Sequence, residues 1–108
     1  MAAGSTYTPI ATSTLSSSSA SVDFNSVSGS YTDLVLVINA AASAAVNLWV
    51  QVGNGSVDTG TNYSVTRLSG NGSSASSDRK TSATKFEMTA QSYIDTVMNF
   101  NSIIQFQN

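Results

Sequence analysis

The clearest pattern in the chain is a strict alternation of apolar and polar side chains between positions 46 and 52. The apolar set is Val46, Leu48, Val50 and Val52, and between them stand Asn47, Trp49 and Gln51. A period of two residues is typical of a β-strand with one buried and one solvated face. The pattern therefore predicts an amphipathic strand over residues 46–52.

Residues 34–38 are apolar at every position (LVLVI). A run this short is either a strand covered on both faces or a fragment of a buried helix. Its length and its β-branched residues favour a central strand. We expect it to pair antiparallel with residues 46–52, which follow after a connection of small residues.

Weaker patterns predict further short strands, divided by turns rich in Ser, Gly and Asn. The strands are expected at residues 7–15, 22–25, 62–68, 86–90, 93–100 and 103–106, and the turns at 16–19, 28–30, 53–56 and 58–60. Within 22–25, Val22 and Phe24 share one face. Residues 1–6 are expected to form a flexible arm, and residues 69–80 a flexible Ser/Gly-rich loop.

Seven or eight such strands, with no helical stripe between them, predict an all-β fold. The expected architecture is a single antiparallel β-sandwich domain over residues 1–108, of jelly-roll type.

Composition narrows the partners. Charged residues make up 9% of the chain, against about 25% in ordinary soluble domains. Four Lys and Arg residues and a net charge of −2 cannot neutralise many phosphates, so we expect no nucleic-acid partner. The longest apolar run is far shorter than the roughly 20 residues of a membrane span, and the first residues lack a classical signal, so no membrane role is expected.

The sequence shows no site for catalysis. It contains no cysteine and no histidine, which removes thiolate chemistry and the commonest general base. The six acidic residues are scattered singly. Asp58 and Asn62 could offer oxygens to Ca²⁺, but their spacing matches no EF-hand loop. We therefore predict a non-enzymatic protein with no catalytic residues, no metal and no cofactor.

Five residues are candidates for contact with a partner or a glycan: Trp49, Tyr63, Asn54, Asn71 and Arg79. Trp49 falls on the polar face of its predicted strand. It is either a core residue of a sheet covered on both faces, an anchor for a protein partner, or a platform for a sugar ring. Tyr63 fits strand-end packing with a hydrogen-bonded hydroxyl as well as it fits a contact.

Several sequence blocks resemble small virion proteins of tailed bacteriophages, of the kind frequent in cyanophages and other marine phages. The blocks are TYTPIAT at 6–12, VDFNSV at 22–27, GSYTDLVLV at 29–37, NYS at 62–64 and GNGSSASS at 70–77, followed by Arg79. The resemblance implies a β-sandwich structural component of the phage particle. It brings no catalytic residues.

The chain departs from these phage proteins by lacking the strands they carry after a segment like residues 98–101. Three explanations stay open: a naturally short version, missing strands, or an open sheet edge completed by a neighbouring subunit. The expected role is capsid decoration or cementing, or else a tail-fibre component, with other virion proteins and further copies of the chain as partners. The alternative is a glycan- or receptor-binding module that recognises a host surface glycan.

Overall fold

The computed structural model describes residues 7–89, 94–97 and 99–107, and every regular element in them is a β-strand. The strands are β1 (Asp33–Ala40), β2 (Trp49–Val50), β3 (Gly53–Asn54), β4 (Ser56–Val57), β5 (Tyr63–Gly70), β6 (Ala75–Ala83), β7 (Phe86–Glu87) and β8 (Phe100–Gln107). They form four antiparallel pairs: β1–β8, β2–β7, β3–β4 and β5–β6. The all-β prediction is confirmed, whereas four two-stranded sheets do not establish a sandwich, which stays a prediction.

The apolar run at 34–38 is a strand, as predicted, and lies within β1. Its partner is β8, with Leu36 opposite Ile104, so the predicted pairing with residues 46–52 is wrong. The alternation of β8 gives it one apolar face, which continues the apolar residues of β1 beside it. A pairing chosen by proximity in the sequence misses this distant strand. The other face is open, because Val37 is 70% and Ile103 75% exposed. The expectation of a strand covered on both faces is therefore wrong too.

The alternating stretch at 46–52 contains only a short strand. Val46 forms an isolated antiparallel bridge with Ile94, and β2 pairs with β7. Between them the Leu48 N–H donates to the hydroxyl of Thr89 at 3.1 Å rather than to a carbonyl. This side-chain bond replaces a ladder bond, which explains why the strand is broken.

The β5–β6 hairpin confirms the strand predicted at 62–68 and corrects the loop predicted at 69–80. Most of that segment is strand, and only residues 71–74 form the turn. The Oδ1 atom of Asn71 accepts the backbone N–H groups of Ser73 and Ser74, while Gly72 has a φ of +90°. Because a ladder is built from backbone groups, a good turn can direct it even through serine-rich sequence.

The turn expected at 53–56 is confirmed as the β3–β4 hairpin. Gly55 has a φ of +81°, which glycine adopts without steric cost. At Gly53 an added Cβ would lie 1.8 Å from the carbonyl oxygen of Ser56, so the two strands approach closely enough to require glycine.

Four further predicted strands are absent or reduced. Residues 7–32 contain no strand, so the strands at 7–15 and 22–25 are wrong; this segment forms no backbone–backbone hydrogen bond with the other described residues. Residues 95–97 are not strand either. The strand expected at 86–90 is reduced to Phe86–Glu87. Residues 1–6, Ala90 and Tyr93 lie outside the described residues.

The core is small. Among the described residues only Tyr63, Ile94 and Thr89 are buried, around the short β2–β7 pair and the start of β5. The long β1–β8 and β5–β6 pairs are mostly half-buried or exposed.

Candidate interaction surface

Trp49 is exposed on the β2–β7 pair, with 48% of its surface accessible. The Nζ atom of Lys85, just before β7, lies 3.3 Å from the centroid of its ring. Such a cation–π contact contributes about 0.5–1 kcal/mol at an exposed site. The ammonium group covers one face of the ring. A protein partner or a sugar can therefore contact only the part of the indole that stays exposed.

Tyr63 is a core residue and not a surface contact. It is 4% exposed and packs edge-to-face on Phe86, with ring centroids 4.9 Å apart. Its hydroxyl accepts the Val52 N–H at 3.0 Å and lies within donating distance of the carbonyls of Val52 (2.9 Å) and Asp58 (2.8 Å). The tyrosine thereby holds both ends of the segment that contains the β3–β4 hairpin.

The remaining three candidates are spread over the molecule. Asn54 lies in the β3–β4 hairpin, Arg79 in the middle of β6 opposite Thr66, and Asn71 at the tip of the β5–β6 hairpin. Eight residues of strand at about 3.3 Å each place that tip roughly 26 Å from the Tyr63 end of β5. Asn71 also commits its Oδ1 to the turn. The five candidates therefore do not form one site.

A cluster of charges, which the sequence alone did not reveal, lies on one face of the β5–β6 hairpin beside β7. Arg67 donates to both carboxylate oxygens of Asp78, through Nε at 3.0 Å and Nη2 at 2.5 Å, and through Nη1 to Glu87 at 3.2 Å. Lys80 donates to the same oxygen of Glu87 at 2.5 Å. The available signal was symmetry: Arg67 and Asp78 are equally far from the turn at 71–74 and so face each other.

These contacts set the direction of three pKa shifts, and a separate pair of hydrogen bonds sets a fourth, at Asp58. Hydrogen bonds from Lys80 and then Arg67 lower the pKa of Glu87, and Arg67 lowers the pKa of Asp78. The bond to Asp78 raises the pKa of Arg67. Hydrogen bonds from the Asn62 amide and the Gly60 N–H lower the pKa of Asp58.

Most of the cationic side chains are already paired within the molecule. Of the four cationic side chains, Arg67 and Lys80 bond to carboxylates and Lys85 lies over Trp49. The surface offered to a partner is consequently even less charged than the composition indicates.

The side chains of Asp58 and Asn62 bond to each other. The Asn62 Nδ2 group donates to both carboxylate oxygens of Asp58, at 3.1 and 2.8 Å. This geometry directs the amide hydrogens, and not the amide oxygen, towards the carboxylate. Across the described part of the chain no three Asp or Glu residues lie together as a metal-binding group.

Large apolar side chains lie exposed along the surface. Seven of them belong to the strandless segment 7–32: Tyr7, Ile10, Leu15, Val22, Phe24, Val27 and Tyr31. On the open face of the β1–β8 pair, Val37 and Ile103 stand opposite each other across the two strands. Apolar surface of this extent usually marks a contact with another molecule.

The total exposed area points the same way. The chain exposes 8622 Å², whereas a compact monomer of 11.2 kDa exposes about 5,700 Å². The excess, about 2,900 Å², is larger than the roughly 800 Å² that each partner contributes to a standard protein–protein interface.

A cleft of about 260 Å³ opens between the Leu34–Phe106 end of the β1–β8 pair and residues 28–32. None of its lining residues is a Lys, Arg, Asp or Glu.

A helix of the length and hydropathy needed to cross a bilayer does not occur in the part of the chain that the structure describes. No protein-family model matches the chain, and no curated protein or solved structure matches it either.

Proposed function

We propose that the chain is a non-enzymatic structural protein of a tailed-phage particle that works by packing against other subunits. The observation that carries the packing role is the exposed area, which exceeds that of a compact monomer by about 2,900 Å². Seven of the exposed large apolar side chains belong to segment 7–32, which has no strand partner among the described residues. Neighbouring subunits would cover it.

Low surface charge supports the same role. Burying a charge in an interface costs free energy unless the charge is paired, and interface cores are depleted of charged residues. Here Arg67, Lys80 and Lys85 already have partners within the chain. Contact with a neighbour therefore leaves few charges to desolvate.

The particle itself is proposed from the sequence blocks described above, above all GSYTDLVLV at residues 29–37. Within that proposal, capsid decoration or cementing is the first choice and a tail-fibre component the second. The sandwich belongs to the same proposal: strands added by neighbours would extend the small β1–β8 sheet into a larger one.

Quantitative mass spectrometry of purified particles from the phage that encodes the chain tests the proposal. Decoration predicts a copy number comparable to that of the major capsid protein, and a fibre component predicts a number comparable to that of tail proteins. Particles that lack the chain altogether would contradict both. Deletion of the gene should lower the temperature at which the capsid releases its DNA if the chain cements it.

A glycan- or receptor-binding module is the second candidate, and the half-exposed Trp49 favours it. Stacking of a sugar on the indole predicts that Trp49→Ala abolishes binding to host polysaccharide while the circular dichroism spectrum is unchanged. Lys85→Gln, which removes the ammonium group from the ring but leaves the indole, is the matched control and should retain binding. Equal binding by the parent and Trp49→Ala would exclude this site.

A further inference from the structure

We infer that residues 20–25 of one copy add as an antiparallel strand to the free edge of β8 in a second copy. The inference deepens the packing role proposed above and rests on it, since it names the donor and the acceptor of one contact between copies. It uses the two features that the fold leaves without partners: a strandless segment and an open sheet edge.

The acceptor is the outer edge of β8. All eight residues of this strand pair with β1 on one side, and no strand in the described ranges pairs with the other side. Such an edge presents a row of N–H and C=O groups that an extended segment can bond. β8 carries no charged residue that a neighbouring strand would have to desolvate.

The donor is the one part of segment 7–32 with a clear two-residue period. Val22 and Phe24 share one face, Asp23 and Asn25 the other, and all four are exposed. These residues form no backbone–backbone bond with the rest of the described chain. Ser26 has a φ of 59°, a left-handed conformation that would end a strand formed by these residues.

The polarity of the two faces selects β8 over β1. Aligning Phe24 with Ile104 places Val22 beside Phe106 on one face, and Asp23 beside Gln105 and Asn25 beside Ile103 on the other. Aromatic and β-branched neighbours of this kind stabilise a sheet by about 0.2–1 kcal/mol per pair. At the edge of β1, Asp23 would instead lie beside apolar residues such as Val35 or Val37.

The direction of the strand selects a second copy. Because β1 and β8 are antiparallel, a donor antiparallel to β8 runs parallel to β1. The donor and β1 would flank β8 as parallel strands of one sheet, and parallel strands are joined by a crossover of a dozen or more residues. Only seven residues separate Asn25 from Asp33, and they include the left-handed Ser26 and the Ser28–Ser30 hydrogen-bonded turn. This connection is shorter than such a crossover, so the geometry favours the β8 of a second copy over the chain's own β8.

Paired cysteine variants test the contact directly, since the chain has no cysteine of its own. Opposed residues of antiparallel strands are about 4.5–5.5 Å apart at Cα, within the range of a disulfide. Asp23→Cys chains are mixed with Gln105→Cys chains and oxidised mildly. The matched control replaces the second chain with Ser77→Cys, an exposed position on β6.

The inference predicts a disulfide-linked heterodimer of the Asp23→Cys and Gln105→Cys chains, and little product with Ser77→Cys. Equal yields with the control, or no product, would overturn it. So would an exclusively intrachain disulfide in the doubly substituted Asp23→Cys/Gln105→Cys chain. The test uses purified protein, so a failed cross-link would not contradict the proposed role in the particle. Absence of the chain from purified particles would likewise not contradict a cross-link between copies.

A second pair of variants measures the strength of the contact. Phe24→Lys should weaken self-association about tenfold or more, because it places a charge on the apolar face of the donor. Leu68→Lys makes the same change at an exposed apolar position on β5, outside both the donor and the acceptor, and should retain the parent association. Equal weakening by both variants would overturn the assignment of residues 20–25.

Discussion

At the scale of single residues, side-chain oxygens complete backbone pairing where the short strands leave gaps. The hydroxyl of Thr89 accepts the Leu48 N–H and lies 3.2 Å from the Asn47 amide oxygen, to which it donates. The hydroxyl of Tyr63 serves the backbone at Val52 and Asp58. Buried polar groups need such partners, so a small core depends strongly on individual hydroxyls.

Replacing Tyr63 by Phe tests this dependence. The ring contact with Phe86 stays, while the Val52 N–H loses its acceptor and the Asp58 carbonyl loses the hydroxyl donor; the Val52 carbonyl still accepts the Asp58 N–H at 2.9 Å. We expect the free energy of unfolding to fall by about 1–3 kcal/mol, measured by urea denaturation with an unchanged slope. Tyr31→Phe, at an exposed tyrosine, is the control and should leave the midpoint unchanged. The same urea midpoint in both variants would show that the hydrogen bonds of the Tyr63 hydroxyl add nothing to stability.

The charge cluster predicts how stability depends on pH. Lys80 and Arg67 lower the pKa of Glu87 in the folded chain. The contribution of these contacts to the free energy of unfolding is therefore complete above the pKa of the unfolded state, about 4.3. It is lost as the pH falls through the lower pKa of the folded state. The urea concentration at the unfolding midpoint should decrease as the pH is lowered through this range. The decrease should be less steep in Glu87→Gln. Identical slopes for the two proteins would contradict a role for this pair.

At the scale of elements, some local signals in the sequence located strands and turns, whereas the distant pairings were not predicted. Alternation around Val65 found β5, and Asn54-Gly55 found the β3–β4 turn, because each depends on residues next to one another. The partner of β1 lies some 60 residues away, and an apolar run fits any complementary strand. The charge cluster was missed for the same reason, since it needs the register of β5 and β6.

Gly72 shows how much the β5–β6 hairpin depends on its turn. An added Cβ would meet no atom within 4 Å, so only the φ of +90° disfavours a side chain. Gly72→Ala should destabilise the hairpin by about 1–2 kcal/mol, seen as faster hydrogen exchange of β5 amides. Gly29→Ala, where there is equal space and no such φ, should not speed exchange. Unchanged exchange in Gly72→Ala would mean that the strands, and not the turn, hold the hairpin.

At the scale of the whole molecule, the chain is a set of small antiparallel sheets with more surface than it can bury alone. Segment 7–32 and the open face of β1–β8 hold most of the exposed apolar side chains. The sequence predicted a neutral surface and left an open sheet edge as one of three explanations. It could not predict that the N-terminal strands would lack partners, because apolar alternation does not say whether the covering surface belongs to the same chain or to another.

Sedimentation velocity of the purified protein, over a wide range of concentration, tests this claim most directly. If neighbours complete the surface, the protein sediments as a multiple of 11.2 kDa and dissociates on dilution. Sedimentation at every concentration as a monomer, with the small frictional ratio of a compact sphere, would contradict the account.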